Sequence, residues 1–203
     1  MRLATLKNVP IAWIAAGLVV VRNCGIAVAG PFGLEQGMTL QQIGGNAQQL
    51  APGKYKTTNV PKPHSAFDAY VLEIGPHSGL CWIKAIGKTV STSVYGLELH
   101  STFEDLKGRL TETYGSPDLM DRLMPGSIWH DPQDWMMALL KKERVLIAVW
   151  SQKSGARLPP DIKSVAISAR ALSQGSGDVA VEYAFTNETQ CDAELTKAED
   201  SAL

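Results

Sequence analysis

The stretch Trp135-Met-Met-Ala-Leu-Leu-Lys141, followed after Lys142-Glu143 by Arg144-Val-Leu-Ile-Ala-Val-Trp150, decides the fold. Two apolar runs on either side of a short polar pair predict two antiparallel strands. Successive side chains of a strand point to opposite faces, so pairing about Lys142-Glu143 assigns each residue to a side. The core side of this predicted hairpin takes Met136, Ala138, Leu140, Val145, Ile147 and Val149.

The first half of the stretch also fits a helix. Asp131-Pro132-Gln133-Asp134, just before it, resembles an N-cap followed by proline at the first helical position and an acidic first turn. A strand from Arg144 onward is expected under both interpretations, so the position of the sheet does not depend on the choice.

The outer side of the predicted hairpin carries an apolar patch. Pairing about the turn places Trp135 opposite Trp150 and Leu139 opposite Leu146. Aromatic and aliphatic side chains rimmed by polar residues are typical of a protein-binding surface. The alternative is that another segment covers this side and makes it a second core. The candidate partner-binding residues are Trp135, Met137, Leu139, Leu146 and Trp150.

Residues 1–29 have the features of a secretory signal peptide. A basic start leads into Val9–Val21, thirteen apolar residues, and then into Ala27-Val28-Ala29, the small-x-small pattern of a signal-peptidase site. A retained membrane helix is the alternative, but the run is shorter than the roughly 20 residues that span a bilayer. We expect a periplasmic or secreted chain that begins at Gly30 and meets a membrane only if the signal is not cleaved.

Charge and cysteine content follow from that cleavage. The 19 basic side chains include Arg2, Lys7 and Arg22, so 16 remain beside 20 acidic ones, a net charge of −4. This balance argues against nucleic-acid binding, which needs a basic surface. Cys81 and Cys191 remain in an oxidising compartment, which predicts a disulfide between them. Two buried thiols are the alternative.

Two stretches align without a gap, Phe32-Gly-Leu-Glu-Gln-Gly-Met-Thr-Leu-Gln-Gln-Ile43 and Tyr95-Gly-Leu-Glu-Leu-His-Ser-Thr-Phe-Glu-Asp-Leu106. Each places a threonine, Thr39 or Thr102, before an apolar helical stripe with a polar residue at N3, which approximates a capping box. The stripes are Leu40, Ile43, Ala47 and Leu50 in the first helix and Phe103, Leu106, Leu110 and Tyr114 in the second.

Strands are predicted after each helix. Period-two patterns and turn residues mark them at Ala69–Ile74, Leu80–Ile86, Ser127–His130, Ser164–Leu172 and Val179–Thr186. In the last two strands, Val165, Ile167, Ala169, Val181, Tyr183 and Phe185 fit the core side, whereas Ser164, Ser168, Arg170, Asp178 and Glu182 fit an open side.

These elements predict an α+β fold made of a duplicated unit. Residues 30–94 and 95–187 would each form helix plus antiparallel sheet, with the helices packed on one face of the sheet. Residues 188–203 are acidic and poor in apolar side chains, so a disordered tail is expected there.

The first opening motif, aromatic-Gly-x-x-x-Gly-Met-Thr-x-x-Gln-Ile behind an export signal, resembles the small outer-membrane-assembly lipoproteins of the SmpA/BamE type. Its tandem use is similar to the beta-lactamase-inhibitor-protein fold. The resemblance covers chiefly Phe32–Ile43 and Tyr95–Pro117; the second copy has His100-Ser101 in place of Gly-Met, and no lipid-anchor cysteine is evident. It implies a non-enzymatic module that binds other proteins, without assigning the partner.

No stretch carries a recognisable catalytic or metal-binding pattern. His64, His77, His100 and His130 have no ligand at metal-site spacing, and no nucleophile elbow or phosphate loop is present. We therefore expect no catalytic residue, metal or cofactor. Three hypotheses stay open: a protein-interaction module, a carrier of a small apolar or lipid ligand, and a hydrolase assembled from distant segments.

Overall fold

A computed structural model describes residues 30–44 and 46–201, so the predicted signal peptide lies outside the described residues. The described chain has an α+β fold. Its helices are α1 (Leu40–Ile43), α2 (Leu97–Tyr114), α3 (Trp135–Leu140) and α4 (Glu188–Asp200). Its strands are β1 (Gln48–Ala51), β2 (Lys54–Thr57), β3 (Phe67–Gly75), β4 (Gly79–Gly87), β5 (Val90–Ser91), β6 (Asp118–Leu123), β7 (Arg144–Ser151), β8 (Ile162–Ser173) and β9 (Ser176–Phe185).

The strands form one antiparallel nine-stranded sheet in the order β1-β2-β3-β4-β9-β8-β7-β6, with β5 paired to the start of β9. Strands β1–β4 form one meander and β6–β9 form another. The last strand of each meander lies at the centre, where β4 pairs with β9. Each meander therefore runs along the chain from an edge of the sheet to the shared middle, and α1 and α2 precede the two meanders in the chain.

One side of the sheet, the core face, holds the hydrophobic core. Val165 pairs with Tyr183, and Ile167 pairs with Val181, all four side chains being buried there. α2 packs on β8 and β9, and α3 packs on β7 and β8. The N-terminal segment covers the other half of this face, where the Phe32 ring packs at a tilt against Tyr70 with ring centroids 4.9 Å apart. The core-side assignments predicted for β8 and β9 are confirmed.

The predicted hairpin is wrong, and the helical alternative is confirmed. Pro132–Asp134 form a 3-10 turn that leads into α3, and Lys142 turns the chain into β7 with φ 61°. A run of six apolar residues fits both the helical and the strand period, so the run itself did not distinguish a helix from a strand. Packing did: Trp135, Met136, Ala138 and Leu139 of α3 are all buried.

The faces of β7 are the reverse of the prediction. Leu146, Ala148 and Trp150 are buried on the core face, whereas Val145, Ile147 and Val149 are half-buried on the other side. The register with β8 causes this, because Ala148 pairs with the buried Ile167 and Trp150 with the buried Val165. Strand β7 is apolar on both sides, so the sequence pattern could not show which side faces the core.

The two predicted helix starts differ. Thr39 caps α1 as predicted, with a complete capping box to Gln42, but α1 ends at Ile43 and Leu50 lies in β1. Thr102 is not a cap. It lies inside α2, where its hydroxyl donates to the Glu98 carbonyl oxygen at 2.9 Å. Helix α2 begins nearly two turns earlier, after Gly96, whose φ of 70° favours glycine.

Two further predictions fail at the periphery. No strand forms at residues 127–130; β6 pairs with β7 instead, and it escaped prediction because its apolar residues do not alternate. The acidic tail is helical as far as Asp200, as α4.

The helices do not all lie on one face of the sheet. α4 packs on β3 and β4 beside Lys54 and Glu73. These two side chains point away from the core residue Leu72, because neighbours along a strand alternate between faces. α4 therefore lies on the side of the sheet opposite α2 and α3. The strands of the two predicted units belong to one continuous sheet.

Candidate functional site

Four of the five predicted partner-binding residues are buried. Trp135, Leu139, Leu146 and Trp150 belong to the core cluster, Trp150 with no exposed surface, and Met137 is half-buried. α3 supplies the first two of the buried four, and β7 supplies the others. The exposed patch predicted for these residues is therefore wrong. They form covered core, which was the alternative.

The side of the sheet opposite the core face offers a larger candidate surface, which we call the open face. Its strands present alternate side chains that no helix other than α4 packs on among the described residues. Its central residues are Trp82, Lys84 and Ile86 of β4, Ala180, Glu182 and Ala184 of β9, Ser164, Ala166 and Ser168 of β8, and Val145, Ile147 and Val149 of β7.

Side-chain size shapes the open face into a trough. The floor runs along β8 and β9, where the side chains are mostly alanine and serine. Larger side chains stand on both flanks, Ile147 and Val149 on β7 and Trp82 and Ile86 on β4. From β7 to β4 there are three strand spacings, about 14 Å. A helix with its side chains is about 10–12 Å across, so the trough is wide enough for one.

Ion pairs border and cross this apolar surface. Lys84 Nζ lies 2.7 Å from Glu182 Oε1, so this ion pair links the β4 flank to β9 in the floor. At the β8–β9 turn, Arg170 holds Asp178 with two hydrogen bonds of 2.8 and 2.7 Å, and the Asp178 side chain is buried beneath it. The surface thus combines a floor of small side chains and apolar flanks with paired charges, a composition found in protein interfaces.

α4 closes one end of the open face and is attached there by two links. Cys191 forms the predicted disulfide with Cys81 of β4. Glu194 accepts hydrogen bonds from the backbone amides of His77 and Ser78 at 3.0 and 2.9 Å and from the Ser78 hydroxyl at 3.0 Å. Chiefly the Ser78 amide, supported by the others, lowers the pKa of Glu194 to about 2. A fixed helix therefore already rests on this side of the sheet.

A separate cleft of about 780 Å³ opens between the N-terminal segment, the end of α2 and the loop before β8. Its lining is rich in proline, with Pro31, Pro159 and Pro160 beside Tyr114 and Ile162. Burial raises the pKa values of both Tyr114, which lines the cleft, and Tyr183. Glu35 and Asp161 also line the cleft, so its wall includes two acidic side chains.

The described residues show no grouping that could hold a metal ion. No three His, Cys, Asp or Glu side chains among them are grouped to hold a metal ion. The His100 ring packs at a tilt against Trp135 with ring centroids 4.2 Å apart, and the His64 ring accepts a hydrogen bond from the Ala66 amide. Over the same residues, no helix has the length and apolarity needed to cross a membrane.

Sequence reasoning found part of this site. The assignment of Ser164, Ser168 and Glu182 to an open side agrees with the register. Sequence reasoning missed Val145, Ile147 and Val149, because the side of the sheet on which they lie depends on the pairing of β7 with β8. Comparisons with protein-family models, curated proteins and solved structures found no match.

Proposed function

We propose that this chain is an exported, non-enzymatic protein-interaction module whose open face binds an amphipathic helix of another protein. The observation that carries the proposal is the trough: a small-residue floor on β8 and β9 between the apolar flanks of β7 and β4. Small side chains let an incoming helix approach the sheet closely, and the flanks give it apolar contacts.

Two features favour a helix over an extended strand as the occupant. The floor lies in the middle of the sheet, where β8 and β9 are already paired on both sides and offer no free backbone edge. In addition, α4 packs on the same side of β3 and β4, so this surface is compatible with helix packing.

The export part of the proposal rests on the signal-like sequence of residues 1–29 and agrees with the Cys81–Cys191 disulfide. The duplication belongs to the proposal as well: the β1–β4 and β6–β9 meanders, each preceded by a helix, are two related halves. Superposition of 30–94 on 95–187 tests that relation, which fails if the paired strands do not coincide.

The binding test is a matched pair of substitutions in the exported protein. Ala166→Arg fills the trough floor, whereas Ala193→Arg adds the same side chain to an exposed position of α4. Both variants should keep the disulfide and nearly the wild-type melting temperature. The proposal predicts that wild type and Ala193→Arg capture a protein from periplasmic extract that Ala166→Arg does not capture. The isolated helical segment of that protein should then bind the three chains with the same preference. Equal capture by the two variants contradicts it.

A carrier of a small apolar or lipid ligand is the second candidate function, and the proline-lined cleft beside Tyr114 favours it. Its volume lies within the usual range of ligand pockets, about 300–1,000 Å³. Native mass spectrometry of the exported protein would then detect a bound lipid or detergent that Tyr114→Ala loses. A wild-type mass without adduct, after purification in the presence of lipid, contradicts this function.

A further inference from the structure

Strand β6 is an exposed edge of the sheet. It is the last strand in the order, and five of its six residues are exposed, the sixth being half-buried. Leu119 and Met120 have 54% and 45% of their surfaces exposed. The opposite edge, β1, has four residues and an irregular register at Ala51, features that protect an edge from pairing. The β6 register with β7 is regular throughout.

The free backbone groups of β6 can be assigned from one hydrogen bond. The Met124 amide donates to the Glu143 carbonyl oxygen at 2.6 Å, which continues the β6–β7 register beyond Leu123. Along an antiparallel strand, residues whose backbone groups bond to the neighbouring strand alternate with residues whose backbone groups do not. Asp118, Met120 and Arg122 therefore direct their amides and carbonyls toward β7. Leu119 and Asp121 direct theirs outward, to solvent.

We propose that β6 pairs with β6 of a second copy of this chain, antiparallel, about a two-fold axis at Met120. Leu119 then lies opposite Asp121 of the second copy, and their outward amides and carbonyls form the hydrogen bonds of the new ladder. Met120 faces its own counterpart in a pair without backbone hydrogen bonds. The ladder ends at Pro117, which has no N–H to contribute.

The charges of β6 select this register. Asp118 comes opposite Arg122 of the second copy, and the two-fold axis repeats the contact. Neither residue belongs to a salt bridge within residues 30–44 and 46–201, so both are available. A shift by one step of the axis, to Asp121, would place two aspartates opposite each other. Asp121 is instead neutralised within its own chain by Arg144 at 2.8 Å.

The dimer would join the two open faces. Asp118, Met120 and Arg122 lie on the same side of the sheet as Val145, Ile147 and Val149, because directly paired residues share a face. Two sheets would therefore continue into each other across the axis. This inference does not depend on the proposed helix binding, since β6 contributes an edge rather than the trough.

Cysteine cross-linking tests the register. In a chain that also carries Cys24→Ser, Met120→Cys should form an intermolecular disulfide under mild oxidation. Residues facing each other in such a pair have Cα atoms about 4.5 Å apart, within the range that a disulfide bridges. Leu119→Cys is the matched control. Its counterpart is displaced by two residues along the strand, beyond the roughly 7 Å limit, so it should stay unlinked.

Light scattering after size-exclusion chromatography tests the charges. Arg122→Asp places aspartates opposite each other twice and should raise the dimer dissociation constant by about tenfold or more. The double variant Asp118→Arg with Arg122→Asp restores opposite charges and should restore the dimer. A wild-type chain that stays monomeric, or Met120→Cys that cross-links no better than Leu119→Cys, would overturn the proposal, as would failure of the double variant to recover a well-folded dimer.

Discussion

The indole Nε1 of Trp150 donates a hydrogen bond to the Gly115 carbonyl oxygen at 2.7 Å, which ties β7 to the residue that ends α2. Trp150→Phe keeps most of the aromatic volume but leaves this carbonyl without its donor, and should cost about 1–3 kcal/mol of stability. Trp150→Ala also empties the core site and should cost about 3–5 kcal/mol. Urea denaturation measures both. Trp82→Phe, on the half-buried open face, is the control with a smaller expected loss, and an unchanged Trp150→Ala would contradict the burial.

The Cys81–Cys191 disulfide links residues 110 positions apart. Replacement of both cysteines by alanine should cost about 4–5 kcal/mol in the chain-entropy treatment, because a long loop of the unfolded chain is no longer closed. Denaturation of wild type with and without reductant checks the size of the effect. Mass spectrometry of the exported protein without reductant checks the bond itself, and free thiols at both positions would rule it out.

Glu194 makes stability depend on acidity. Its pKa lies at about 2 in the folded chain against an ordinary value of 4.5, chiefly because the Ser78 amide donates to the carboxylate. A lowered folded-state pKa stabilises the fold above pH 4.5 and loses that stabilisation as the pH falls toward 2. Glu194→Gln should therefore destabilise the protein at neutral pH and flatten the acid side of its pH profile. Glu199→Gln, on the same helix, should leave the profile unchanged; identical profiles for all three proteins would contradict this role.

The two aligned threonines should respond differently to substitution. Thr39→Ala removes the cap of α1 and should cost about 1 kcal/mol. Thr102 lies inside α2, where alanine has the higher helix propensity, so Thr102→Ala should change stability by only a few tenths of a kcal/mol or raise it. Thermal melts of both variants in one buffer make the comparison. Equal losses would favour the cap that the sequence alignment predicts at Thr102.

The exported chain should begin at Gly30, because Ala27-Val28-Ala29 matches the specificity of signal peptidase. N-terminal sequencing of the protein recovered from the periplasm or the medium tests this. An intact Met1 in a membrane fraction would instead support the retained helix.

Local pattern predicted several features because one physical constraint decided each of them. β8 and β9 carry large apolar side chains on one side and mostly small or charged side chains on the other, so their faces could be assigned without knowing their neighbours. Thr39 and Gln42 are three residues apart, and the capping box needs nothing else. Cys81 and Cys191 are the two cysteines that remain after the predicted cleavage, so they have a single way to pair.

Tertiary contacts decided the rest. Trp135–Leu140 fits a helix or a strand, and its packing against β7 and β8 selected the helix. Arg144–Trp150 is apolar on both sides, so its core side follows from its pairing with β8. Because Trp150 pairs with the buried Val165, it lies in the core and not on the predicted surface. The acidic residues of α4 cannot bury enough apolar area to order a helix alone, but the disulfide and the Glu194 hydrogen bonds hold that helix on the sheet. Where a segment's own pattern satisfies two structures equally, only the surface it meets distinguishes them, and that surface comes from distant parts of the chain.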